Sequence, residues 1–73
     1  MEITYDNLTD TLYIRFSRGR VAESKEIEEG LIVDYDEKGH VIGIEILNVR
    51  KKNVDLNKIV FEPEKNLPVV VGP

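Results

Sequence analysis

The chain has 73 residues, 41% hydrophobic and 33% charged, with ten Lys and Arg against fourteen Asp and Glu for a net charge of −4. One small domain over residues 1–73 is expected, hiding only about 60% of the surface its unfolded form exposes, from a composition too hydrophobic for a disordered chain. The lack of cysteine removes disulfides, thiolate metal sites and cysteine nucleophiles and makes a cytoplasmic location the default. No apolar stretch nears the roughly 20 residues of a membrane span, and MEITYD has no signal-peptide character. The acidic balance, with a pI of about 4.9, makes nucleic acid an unfavourable partner and a basic protein an attractive one. Interspersed charge of both signs without cysteine also suits a thermophilic source.

Ile3 and Tyr5 open a first strand, and Leu12, Ile14 and Phe16 alternate with Tyr13 and Arg15 in a second. The intervening Asp6-Asn7-Leu8-Thr9-Asp10 is turn chemistry, since these polar side chains bond their own backbone. Pairing Tyr5 with Leu12 and Ile3 with Ile14 puts every apolar residue of this hairpin on one face. After a turn at Ser17-Arg18-Gly19-Arg20, the polar Val21 to Ile27 reads as an edge strand of unassigned register, its charges discouraging contact with other sheets. Glu28-Glu29-Gly30 turns the chain again.

Leu31 to Ile46, LIVDYDEKGHVIGIEI, spells out a second hairpin. With Lys38-Gly39 as a two-residue turn, Glu37 faces His40, Tyr35 meets Ile42, Val33 meets Ile44 and Leu31 meets Ile46. Those apolar partners share one face, while Ile32, Asp34, Asp36, Val41, Gly43 and Glu45 fall on the other. The product is an antiparallel meander of about five short strands over residues 1–47. In the remaining 48–73 segment, Leu56, Ile59 and Val60 are spaced as one side of a short helix before Pro63, capped by Asn53 or Asp55, with a strand over Val54–Phe61 as the open alternative. Leu67 to Val71 suits a terminal strand or an arm onto another subunit, Pro68 favouring an edge. The expected class is α+β and β-rich.

A sheet with a dozen apolar side chains on one face must cover them, which predicts a homodimer packed through that face or exchanging C-terminal arms. The opposite face gathers Tyr13, Arg15, Asp34, Asp36 and Glu45 as the candidate interaction face. Carboxylates around a groove could hold a hard cation or act as an acid and base pair. Alternation places polar residues outward in any case, so no catalytic, cofactor or metal residue is assigned, and the residues give no support for an enzyme. His40 reads as a solvated turn residue with no second histidine to complete a metal site. Ser17 and Ser24 are not framed as nucleophiles. Gly43, inside a strand, marks a bulge or room for a large neighbour such as Tyr13. Arg50-Lys51-Lys52 reads as the solvated end of an element.

Tyr5-Asp6, Asp10, Leu12-Tyr13-Ile14, Gly30, Asp34-Tyr35-Asp36, Gly39 and Gly43-Ile44-Glu45-Ile46-Leu47 together resemble the small prokaryotic family called domain of unknown function 2283, through Leu47. The resemblance implies a compact β-rich domain with no established activity. Such families are sometimes found beside small toxin-like reading frames, which opens an antitoxin-like role. The leading expectation is a protein-interaction module. A metal or small-ligand binder using the acidic face and a purely structural self-assembling dimer stand as alternatives.

Overall fold

The structure, a computed structural model, describes residues 1–63. Five strands, β1 (Glu2–Asp6), β2 (Thr11–Arg15), β3 (Glu23–Glu28), β4 (Leu31–Tyr35) and β5 (Val41–Ile46), form one antiparallel sheet in the order β1-β2-β5-β4-β3. The β1–β2 hairpin has the expected register, Ile3 opposite Ile14 and Tyr5 opposite Leu12. β3, β4 and β5 run as a meander. The two units join where β2 pairs with β5, Leu12 opposite Ile46 and Ile14 opposite Ile44.

The second hairpin keeps its expected register at Leu31–Ile46 and Val33–Ile44 and departs from it at the tip. The ladder shifts after Asp34, so that Tyr35 faces Val41 and Ile42 is the extra residue of a β-bulge. The two-residue turn is replaced by a three-residue loop: Asp36 N–H donates to the His40 carbonyl at 2.9 Å and Gly39 N–H donates to the Asp36 carbonyl at 3.0 Å. Gly39 takes the φ of 81° that this loop requires. The cause is Asp36, whose Oδ1 accepts from the Lys38 and His40 amides at 2.9 Å each and so organises a turn one residue longer.

The expected α+β class is corrected to all-β. Among the described residues the one helical piece is a single 3-10 turn, Val49–Lys52, bounded by Asn48 and Asn53 in left-handed conformation. No helix forms over 54–61: Asn57 N–H donates to Asp55 Oδ1 at 2.9 Å in a local turn, so Asp55 ends a bend instead of capping a helix. A run this short, rich in β-branched residues and closed by Pro63, falls below the length at which a helix sustains itself. The terminal strand or arm expected at Leu67 to Val71 lies outside the described residues.

The basic run is exposed at the end of the 3-10 turn, as expected, while its backbone and the basic groups of Arg50 and Lys52 tie back onto the sheet. Tyr5 Oη donates to Asp10 Oδ1 at 2.7 Å, the Arg50 amide donates to the same carboxylate at 3.2 Å, and the Arg50 guanidinium bonds Asn7. Lys52 Nζ donates to the Leu47 carbonyl at 2.7 Å. Val49, fully buried, is thereby pinned under the β1–β2 turn, its N–H donating to the Asp10 carbonyl. The closed core is small: besides Val49, only Val33 at 8% and Ile42 at 2% exposure are buried hydrophobics among the described residues.

Gly43 sits where β2 and β5 meet, and a Cβ there would lie 3.0 Å from the Ile14 carbonyl oxygen. That oxygen belongs to the ladder and has little room to yield. Gly43→Ala is therefore expected to lower stability by about 1–3 kcal/mol, read as a urea unfolding midpoint. Tyr5→Phe should also lower the midpoint, and its effect should shrink in acid, where Asp10 is protonated and the hydrogen bond is no longer charge-assisted.

Candidate functional site

Two cross-strand rows build the polar face. One runs Glu2, Arg15, Gly43, Asp34, Ser24 across β1-β2-β5-β4-β3, and the next runs Thr4, Tyr13, Glu45, Ile32, Glu26. Strand alternation puts these residues on the side away from Ile14, Val33 and Ile44. Because Gly43 has no side chain, the first row has a gap at its centre. The gap is the floor of a cavity of about 200 Å³ lined by Tyr13, Arg15, Val21, Asp34 and Ile42 among others. Behind it the link from β2 to β3 crosses the sheet end, fixed by the Arg15 guanidinium donating to the Ser17 and Gly19 carbonyls.

Of the five residues expected on this face, Tyr13, Arg15, Asp34 and Glu45 come together. Asp36 does not join them: its carboxylate belongs to the hairpin loop, where the His40 and Lys38 amides hold it below the usual range and the exposed His40 ring approaches at 3.5 Å. Arg15 is spent on the crossing loop and forms no ion pair with either acid, so the carboxyl pair has no cation beside it among the described residues. Partial burial pushes Glu45 up to about 7, with the hydrogen bond and charge of Asp34 adding to the rise. Ser24 Oγ donates to Asp34 Oδ1 at 2.6 Å, which ties β3 to β4 beside the pair.

Ser24 was not legible as a partner, because the strand that carries it has no alternation from which to read a register. The Asp10 cluster was likewise unread; its only trace in sequence was an acid in a turn and a basic run forty residues later. Asp10 is held below its ordinary value by the Tyr5 hydroxyl first, and by the Arg50 amide and nearby cations. The room left by Gly43 serves the β2 backbone and the Arg15 Cα, not the Tyr13 ring.

Chemically the face can accept a hydrogen-bond donor or a cation and can exchange a proton near neutrality. Among the described residues no group of three or more acids or histidines is arranged to hold a metal ion, and no helix is long and apolar enough to cross a membrane.

These features define a small all-β domain, a single antiparallel sheet with a carboxyl pair on one side and an apolar surface on the other. The chain belongs to the family described as protein of unknown function (DUF2283), whose match covers residues 2–50, every strand and the Arg50 contact included. No curated protein and no solved structure matches the chain.

The raised Glu45 carboxyl sets a pH dependence. Between its ordinary 4.5 and about 7 the folded chain binds more protons than the unfolded one, so stability falls as pH rises through that window. For this solvent-screened group the loss is about 1 kcal/mol. Asp10 and Asp36, both depressed from 3.8, act oppositely and lose their contribution as pH falls below that value. Urea midpoints measured across the acid and neutral range should peak on the acid side of neutrality, and Glu45→Gln should flatten the limb above the peak.

Proposed function

We propose that the protein is a protein-interaction module whose contact surface is the apolar face of the sheet. The observation that supports this is the core left unfinished among the described residues. Ile14, Ile44 and Ile46 remain only half-buried, Ile3 is 38% exposed, and Ile59 and Phe61 beyond the sheet are exposed at 70% and 73%. Beside β1 and β2, Val54, Leu56 and Ile59 wall a largely apolar groove of about 420 Å³. A sheet open on this scale is the ordinary mark of a protein contact surface.

The charge sorting supports a division of labour. Net charge of −4 steers a basic protein toward the chain, as the antitoxin-like reading requires. A small-ligand role at the Gly43 cavity has less support, because about 200 Å³ falls below the roughly 300–1,000 Å³ of small-molecule pockets.

Purification of the tagged full chain from its own cells, with quantitative mass spectrometry, tests the reading. The wild-type chain is expected to carry a stoichiometric protein, a second copy or another chain, and Ile3→Lys to reduce that association about tenfold or more. Association untouched by Ile3→Lys but abolished by Asp34→Lys would place the contact on the polar face and overturn the proposal.

A further inference from the structure

We infer that the occupant of the apolar face is a second copy of this chain, the two sheets packing face to face as a two-layer β-sandwich. The inference rests on the interaction-module reading and names its partner.

The chemistry of the surface argues first. Strands β1, β2, β5 and β4 present uncharged side chains on this side, among them Ile3, Leu12, Ile14, Val33 and Ile44. Charge enters at the margins: at the edge strand β3, where Glu23 and Lys25 lie 3.9 Å apart and the Lys25 ammonium stands 5.4 Å over the Tyr35 ring, and beside β1, where Asp55 and Lys58 line the groove. An apolar centre with a charged rim is the anatomy of an interface between chains. A surface whose centre is apolar is complementary to itself about a two-fold axis. Packing through it also sends the carboxyl pairs of the two copies to opposite outer faces, so that the net negative charge opposes association least.

Size argues next. Four strands of about five residues span roughly 17 Å by 19 Å, on the order of 300 Å² in flat projection. The relief of branched side chains and the adjoining Val54, Leu56 and Ile59 enlarge that footprint toward the class of about 800 Å² per partner typical of stable complexes. Two such sheets stack about 10 Å apart with their strands within about 30° of each other. Edge-to-edge growth is the less favourable alternative, since β3 is exposed along its whole length and carries Glu23, Lys25, Glu26 and Glu28.

Sedimentation of the purified full chain at micromolar concentration is expected to give twice the 8.4 kDa chain mass. An isotope-filtered NOE experiment on a mixture of labelled and unlabelled copies should then show contacts between copies at the Ile14, Val33 and Ile44 methyls. Ile3→Lys, on an already open edge strand, should raise the dimer dissociation constant about tenfold or more, while Glu45→Gln leaves it unchanged. Contacts between copies confined to β1 or β3 backbone would overturn the sandwich, as would a dimer indifferent to Ile3→Lys. A monomer whose face methyls contact a different protein in the native eluate would overturn the second copy and leave the interaction module standing. A monomer whose face methyls contact its own residues 64–73 would overturn both.

Discussion

The pairing of β2 with β5 is the constraint on which the molecule depends. Each hairpin alone is two or three strands with one wet side, and a two-stranded unit is marginal in water. Joining them makes a five-stranded sheet and aligns Leu12 with Ile46 and Ile14 with Ile44. The join is close because Gly43 carries no side chain against the Ile14 carbonyl. It is closed at one end by Asp10, whose carbonyl and carboxylate take the Val49 and Arg50 amides and draw the chain after β5 under the turn before β2. At the other end Phe16 N–H donates to the Ile42 carbonyl at 2.8 Å, which commits the bulge to the start of the crossing.

One layer of sheet has two sides and needs a reason for each. The apolar side holds the branched side chains that drive folding, yet within the described residues only Val33 of that side is buried. The polar side spends one arginine on its own loop and leaves Glu45 beside Asp34, its carboxyl raised. Burial of Glu45 and its proximity to Asp34 are both unfavourable for a second negative charge. Both act in the same direction on Glu45 and raise its carboxyl.

Much of this was legible in the residues. Alternation fixed both hairpin registers over most of their length, and the apolar and polar sides followed from them. Three things were hidden, for different reasons. The β2–β5 pairing is between segments thirty residues apart, and alternation says which side faces the core without saying which strand is the neighbour. The loop at Asp36 turned on one carboxylate accepting hydrogen bonds from the Lys38 and His40 amides, which outweighed the more familiar two-residue turn. The segment after Asn53 has helical spacing in Leu56, Ile59 and Val60, but spacing without length does not sustain a helix. Tyr13, Arg15, Asp34 and Glu45 fell on one side as their strands required, whereas Asp36 stood at the strand's end, where alternation no longer governs where a carboxylate goes.

Strand β5 ties the two sides together. Its alternation sends Ile44 and Ile46 to the apolar side and Gly43 and Glu45 to the polar one, so any force that fixes β5 on one side fixes it on the other. A copy packed against Ile44 would hold the Glu45 carboxyl in place beside Asp34, and the carboxyl pair would be as ordered as the interface beneath it. The two surfaces are separated by a single layer of backbone, and β5 contributes side chains to both.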